Sequence, residues 1–545
     1  MKRKTLVIIL IIFFGLIGIK ALFHPGFYTN HDGEHQVIRL YHFDQSLKDG
    51  QVSPRWAGTA DNGYGYPLFI FSYQSPWFIG VPLLKLGLSL TDAVKGVFVI
   101  GFIISGITML LWLSQMLGTL PGLVGAFLYL WAPFRFSNIF VRASLGEATA
   151  YLFIPLVFWG IWRSIHHKKS MILISIGLAG IILSHMMVLI VFSLPIIIWS
   201  LIQVWESKQK ITVARRIFIG GLFGTGLSAY YFLPAILEMN YTVASQTLQS
   251  HFLDHFVTLE QLVYSKWGYG FDFPGSVNDA MSFQVGIGQW LAVGLLCIFI
   301  IIDWWRRKKI DIVASFSVGI FLFSILMMIP ISKPIWEFMV KYAYFDFPWR
   351  YLGLAVFSGS LAAAILISKL GKLGWIFTFV FFIIAFYTNR NHLNVNQYIY
   401  NNDSYYSANL QTTNMYDEYR PKTINSEYLK QKRNRFEYDK KEIIVNQLIS
   451  KSNYLKVEGQ ANQQTKSIIN ISYYPGWNIW LNKVKQPKSV NGDGVMEVIL
   501  PKGKFDLQVI FQNTLLRTIS NIISLISVSL IVIWLIPKNK TFSKN

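Results

Sequence analysis

Long apolar runs separated by short basic gaps organise this chain. The runs fall near 5–23, 93–117, 119–135, 147–163, 170–184, 186–203, 217–237, 283–302, 312–330, 349–368, 373–388 and 518–536. Each approaches the length at which an α-helix crosses the hydrocarbon core of a bilayer. The pattern predicts a polytopic α-helical membrane protein of about 12 transmembrane helices. Lys2-Arg3-Lys4, Arg163 with Lys168-Lys169, Lys208 to Arg216, Arg306 to Lys309, Lys369 with Lys372, and Lys538-Lys540 occupy the gaps between these runs. Alternation from a cytoplasmic N-terminus puts all of them on the cytoplasmic side, as the positive-inside rule requires, and returns the C-terminus there.

One apolar stretch, Leu68 to Leu90, is excluded as a span, because counting it would move every later basic gap outside. Its Pro67, Pro76 and Pro82 suit a broken helix in the membrane interface. The first run resembles a signal peptide but lacks a small-x-small cleavage site before His24, so it reads as a retained helix. Residues 24–92 and 238–282 are then external loops. The expected layout is a transmembrane region over 1–388, an exported domain over 389–517, and the last helix with a cytoplasmic tail over 518–545. Lys456-Val457-Glu458, Ile468 to Tyr474, Val495 to Leu500 and Phe505 to Phe511 alternate as strands, with turns at Tyr474-Pro475-Gly476 and Asn491-Gly492-Asp493-Gly494. A small extracytoplasmic β-sandwich inserted before the last helix follows.

Composition agrees: 53% of residues are hydrophobic and only 14% charged, against about a quarter in soluble domains. The net charge of +21 is largely topology and does not call for nucleic acid. The exported stretch 389–517, which that rule does not govern, holds 18 Lys and Arg against 11 Asp and Glu, an excess of seven positive charges suited to anionic polymers or phosphate headgroups. A merely soluble basic surface is the alternative. The only cysteine, Cys297, lies in an apolar run, so the exported domain folds without an internal disulfide.

Candidate chemistry gathers at external helix ends. His31-Asp32-Gly33-Glu34-His35 follows the first helix, and Arg55-Trp56 and Gly63-Tyr64-Gly65-Tyr66-Pro67 lie in the same loop. Ionisable groups clustered at a bilayer edge are functional candidates. Asp32 is either a catalytic base or the N-cap of a helix starting at Gly33. Glu34 is a second base, a metal ligand or a solvated charge. Glu147 either serves the site or complements a helix dipole. His185 is a ligand or a structural turn residue, and Arg350 beside Trp349 is a phosphate ligand or an interface anchor. A divalent metal between His31 and His35 stays an alternative, although the spacing is not that of a zinc protease, and no metal ligands are assigned. Tyr474, Trp477 and Trp480 either stack on sugars or fill a sandwich core.

Asp32, Arg55-Trp56 with Gly65-Tyr66-Pro67, Arg142-Ala143-Ser144-Leu145-Gly146-Glu147, Ser184-His185, Phe347-Pro348-Trp349-Arg350 and Tyr473-Tyr474-Pro475-Gly476-Trp477 together resemble bacterial YfhO-like membrane proteins, which look like members of the GT-C glycosyltransferase superfamily. The resemblance implies a GT-C-like fold in the bacterial cytoplasmic membrane. It also implies transfer of a sugar from a polyprenyl-phosphate carrier to an extracytoplasmic acceptor, an anionic envelope glycopolymer or a glycolipid. In that frame Asp32 is the base, with Glu34 and Glu147 as further catalytic candidates. His35, Arg55, Tyr66, Arg142, His185 and Arg350 bind substrate. Two other functions remain open: a transporter or flippase for a lipid-linked substrate, and a non-catalytic envelope assembly protein. Transporters concentrate polar groups at the membrane midplane and often carry internal repeats, whereas no repeat is visible here.

Overall fold

A computed structural model describes residues 2–247, 250–275, 279–342, 344–345, 347–408 and 418–536. The expected basic gap Lys538-Lys540 and the rest of the tail lie outside the described residues. Among the described residues, eight helices are long and apolar enough to cross a membrane. The number is ten if two bent pairs each count as one span: Thr119–Leu130 with Pro133–Val141, bent by 50°, and Ile312–Met328 with Pro330–Met339, bent by 87°. Both breaks fall at a proline, which has no N–H to continue the ladder. The expected first and fifth spans are present as shorter apolar helices, Lys4–Gly18 and Ser170–Ser184. The count is therefore lower than twelve by length, although every expected run is helical. The excluded stretch forms two short helices, Leu68–Phe71 and Ser75–Lys85, the second with Pro82 inside.

The chain divides into two compact units. The first comprises residues 1–33, 82–225 and 249–400, and holds most of the helices. Its centre is the span Pro348–Lys369, 94% buried, which packs on Thr119–Leu130, Ile287–Arg307 and Ile312–Met328. Small and polar residues make that closeness possible. A Cβ on Gly125 would stand 3.1 Å from the Ser360 carbonyl oxygen. Ser317 Oγ donates to the Ser358 carbonyl at 2.8 Å, and Gln289 Nε2 to that of Leu128 at 3.0 Å. Strands β1 (Phe27–Tyr28) and β2 (Tyr398–Ile399) pair antiparallel in this unit.

The second unit comprises residues 34–81, 226–248 and 401–545. Its sheets are built from β3 (Phe436–Glu437), β4 (Ile443–Lys451), β5 (Tyr454–Ala461), β6 (Thr465–Ser472), β7 (Trp477–Leu481), β8 (Val484–Lys485), β9 (Val495–Leu500) and β10 (Gly503–Phe511). A five-stranded sheet runs β4-β5-β10-β7-β8 and a three-stranded one β3-β6-β9, with antiparallel pairing throughout. Inward residues of both sheets, among them Leu455, Val457, Ile471, Trp477, Val498 and Leu507, share one core. Trp56 enters the same core, 5.3 Å from the Trp477 ring centre in an edge-on contact.

A buried ion pair secures this unit. Arg517, at the start of the last helix Leu515–Leu535, lies 2.8 Å from Glu238 and both side chains are almost wholly enclosed. Thr514 and Tyr474 hydroxyls also donate to Glu238, at 3.1 and 3.2 Å, and Arg517 donates to the Pro475 carbonyl at 2.8 Å. Gly476 has a φ of +119°, and a Cβ there would meet Arg517 Nη1 at 2.7 Å, so glycine is required. Removing one member of a buried, hydrogen-bonded pair strands the other charge. Glu238→Ala is therefore expected to destabilise the protein by about 3–5 kcal/mol, while Glu238→Leu with Arg517→Met recovers most of the loss. Thermal unfolding in detergent checks this; a single variant as stable as the parent would contradict it.

Candidate active site

The first unit concentrates its charged groups around one turn. After the helix Pro133–Phe136 the chain widens into a π-helical turn, Ser137–Val141, in which the Arg142 N–H reaches back to the Ser137 carbonyl at 2.9 Å. Ala143 then takes a left-handed φ of +50°, at a cost of roughly 1–2 kcal/mol for a residue with a Cβ. The helix Leu145–Ala150 starts immediately, and the reversal folds Arg142 over Glu147. Arg142 Nη1 donates to Glu147 Oε2 at 2.7 Å, with both side chains buried. π-turns and positive-φ residues of this kind cluster at functional sites.

Other elements complete the cluster. Tyr151, one turn beyond Glu147, donates to its Oε1 at 3.3 Å. Arg350 donates from Nη1 to His185 Nε2 at 3.3 Å, so that nitrogen carries a lone pair and the imidazole is neutral. Arg142, Arg350 and His185 all lie within electrostatic range of the Glu147 carboxylate. Burial, reinforced by the Arg350 charge, pushes His185 down to about 3. Burial also opposes the charge on Arg142, but Glu147 outweighs it and, with Asp32 adding, holds the guanidinium above its usual range.

Asp32 reaches this cluster through the backbone and through charge. The N–H groups of His31 and Asp32 donate to the carbonyls of Val141 and Arg142, at 2.9 and 3.1 Å. Asp32 itself is half-buried. The Gly33 N–H at the start of the helix Gly33–Lys48 is taken by Asn30 Oδ1. His31 donates from Nε2 to the Gly270 carbonyl at 3.0 Å and stacks on Phe271. Burial, followed by the Arg142 charge, lowers its titration point.

Two adjoining cavities meet at Arg350. One is lined by Glu147, Tyr151 and Arg350 together with Met187, Val188, Val191 and Phe192. The other shares Met187, Val191 and Arg350 and adds Trp336, Tyr344, Phe345, Phe347 and Tyr351. Charge and hydrogen-bond donors thus form one wall and apolar side chains the rest. Such a lining suits a molecule with a phosphate at one end and hydrocarbon at the other.

Three contributors escaped sequence reasoning. Tyr151 stands four residues after Glu147, a helical spacing that could have revealed it. Asp272 accepts from Trp349 Nε1 at 2.8 Å and faces His255 Nδ1 at 2.8 Å, while the Trp349 ring lies 4.5 Å from the Arg142 guanidinium. Burial works against the Asp272 carboxylate, but the His255 and Trp349 hydrogen bonds prevail and depress its titration point. No local pattern signals a contact 77 residues away. Arg135 is buried against the rings of Phe102, Tyr129 and Tyr151 and donates to Ser105 Oγ at 2.8 Å.

Asp32, Arg142, Glu147, His185 and Arg350 are therefore assembled in the first unit. Glu34, His35, Arg55 and Tyr66 belong to the second. Glu34 is exposed and accepts from Tyr405 at 3.0 Å, and His35 is half-buried on the same helix. Arg55 donates to Asn513, to Asn521 at 2.8 Å and to the Tyr230 carbonyl at 3.1 Å; burial and then Arg517 push it down to about 10. Tyr66 is buried, and its backbone carbonyl accepts from the Ala57 N–H at 3.0 Å. Among the described residues, no three His, Cys, Asp or Glu side chains come together in a way that could hold a metal ion.

No family model matches the chain. An uncharacterized protein of Lactococcus lactis subsp. cremoris (strain MG1363) is 25% identical over 243 residues, or 42% of this chain, and the chain spans 39% of that relative's length. Among solved structures, the chain is similar to the crystal structure of the Archaeoglobus fulgidus oligosaccharyltransferase tethered with an acceptor peptide containing the NVT sequon. The TM-score is 0.38 at 9% identity, covering 75% of this chain and 55% of that one.

The depressed His185 has a pH consequence of definite sign. The unfolded chain takes up a proton near the ordinary 6.5 while the folded chain takes it up only near 3. The resulting stabilisation is full above pH 6.5 and is lost as pH falls from there toward 3. Nitrogen NMR of the histidine-labelled protein at pH 5 is expected to show His185 neutral with its proton on Nδ1. An imidazolium signal there would contradict the geometry.

Proposed function

We propose that this chain is a membrane glycosyltransferase of the GT-C type, which moves a sugar from a polyprenyl-phosphate-linked donor to an extracytoplasmic acceptor of the cell envelope. The observation that carries the reading is the meeting, in one unit, of a half-buried carboxylate, Asp32, with the Arg142–Glu147 pair and the Arg350 cavity. In the proposed step Asp32 accepts the proton of the acceptor hydroxyl as its oxygen bonds to the anomeric carbon. The bond from that carbon to the carrier phosphate breaks, and the phosphate leaves with the electron pair. Arg350 faces the departing phosphate from the cavity wall, where a preformed cation is worth far more than in water. Glu147 acts as the counter-ion that makes a buried Arg142 tolerable, and His185, being neutral, orients Arg350 without repelling it.

The motif resemblance and the placement of basic gaps support the same reading, with both termini cytoplasmic and the β-domain outside. An introduced cysteine at Asn462 should then react with an impermeant reagent on intact cells. Reaction only after permeabilisation would overturn the orientation.

Asp32→Asn keeps size and shape but removes basicity. General-base catalysis contributes about 10²–10⁴-fold, and the variant is expected to lose that factor in glycan modification at unchanged membrane abundance. Envelope glycans from cells carrying each form decide the matter; parental modification by the Asn form would remove Asp32 from the mechanism.

A further inference from the structure

A third cavity lies wholly within the β-domain, among groups that the proposed transfer does not use. It is a small recess open to solvent, and its walls include Tyr473, Trp477, Asn478, Gln486, Lys488 and Met496. Trp477 is buried in the core, yet its indole N–H has no hydrogen-bond partner among the described residues. A buried donor left unsatisfied is uncommon and costs about 1–3 kcal/mol. Tyr473 presents a half-buried ring beside it, with the Lys488 ammonium 6.0 Å from the ring centre.

The polar groups around this cavity keep accepting capacity. Asn478 spends its amide N–H groups on Gly476 and Gln512, which leaves Oδ1, and Gln486 donates to Val484, which leaves Oε1. The neighbouring hairpin of β7 and β8 turns through Asn482 and Lys483, both at positive φ. That turn carries Lys483 to an exposed tip, with Lys485 and Lys488 following. Between Gly476 and Asn491 the chain holds these three lysines and no Asp or Glu. Glu497, which accepts from the lining Ser489 at 2.9 Å, is paired with Lys466 at 2.7 Å. Aromatic faces take the C–H side of a sugar ring, amide oxygens take its hydroxyls, and an ammonium takes an anionic substituent.

We infer that this cavity binds one anionic sugar residue, bearing a phosphate or a carboxylate, of an envelope glycan. The assignment deepens the acceptor side of the proposed transfer and rests on that reading for where the glycan comes from, but the binding stands on the cavity alone. Occupancy would hold the acceptor polymer on the β-domain.

The test uses the full chain in detergent, labelled on its methionine methyl groups, with the Met496 signal assigned through Met496→Leu. Glucose 1-phosphate and glucuronic acid are expected to shift that signal in a saturable way, and neutral glucose to do so only at much higher concentration. Lys488→Ala should weaken the two anionic sugars by roughly tenfold, the worth of one charged hydrogen bond, with little change for glucose. Tyr473→Ala should weaken all three. Failure of every sugar to move Met496 would overturn the inference. So would an equal response to inorganic phosphate alone, which would mark a lysine patch for bare anions. If Lys488→Ala left the anionic sugars unaffected, the charge argument would fall. Asp32→Asn should bind as the parent does, so loss of the transferase reading and loss of this site give different results.

Discussion

A charge removed from water must find a counter-charge or a set of dipoles, and the interior of this protein is arranged around that requirement. Among the described residues, Arg142 with Glu147 in the first unit and Arg517 with Glu238 in the second are arginine–carboxylate pairs sealed from solvent. Neither pair is a source of net stability to set against an apolar alternative, because the desolvation of both ions offsets their attraction. What the pairs impose is geometry: breaking either leaves a stranded ion, so the turns that carry them have little freedom to move. Arg135 shows a second solution. It takes three aromatic faces and one serine oxygen, which satisfies a guanidinium through its planar surface as well as its edge.

This constraint separates the two acids that sequence reasoning placed together in the first unit. Glu147 receives Arg142 and Tyr151 and lies within range of two more cationic or neutral donors, so its carboxylate is committed. A group so engaged is a poor proton acceptor. Asp32 is half-buried and sits one backbone hydrogen bond from Arg142, while Asn30 takes the first N–H of the helix that follows. A half-buried carboxylate near a cation is better suited than Glu147 to take a proton from an incoming hydroxyl. The strain at Ala143 belongs to the same economy of space, since only a reversal this tight sets Arg142 on Glu147 five residues later.

Helices were legible because a period of 3.6 and an apolar run of sufficient length are local signals. Thr119–Leu130 and Leu352–Lys369 can be read directly, whereas the 87° bend after Met328 changes a predicted span into two pieces that length alone does not reveal. Strands β5, β9 and β10 were legible from alternation, and β6 was placed a few residues late. β4, β7 and β8 were not, since Trp477–Leu481 reads equally as a buried apolar turn and β8 has two residues. Within the site, Asp32, Arg142, Glu147, His185 and Arg350 stood out because ionisable residues at helix ends are rare. Asp272 and His255 did not, because the contacts of Asp272 with His255 and Trp349 depend on a loop whose path no local rule dictates.

The motifs that run along the whole chain therefore do more than one job. Arg55, Trp56, Tyr474, Pro475 and Gly476 are bound up in the interior of the second unit, around Arg517, Glu238 and the sandwich core. Arg142, Glu147, His185 and Arg350 make a charged cluster in the first. From sequence both sets look alike, as polar and aromatic residues clustered near membrane edges. Burial and partners distinguish them: an arginine whose donors end on asparagines and a backbone carbonyl, as Arg55's do, has the surroundings of a structural clamp. An arginine that lines a recess beside a neutral imidazole, as Arg350 does, has the surroundings of a binding group. A pattern distributed over a chain identifies the residues under physical constraint, and the kind of constraint becomes visible only when each donor is followed to its acceptor.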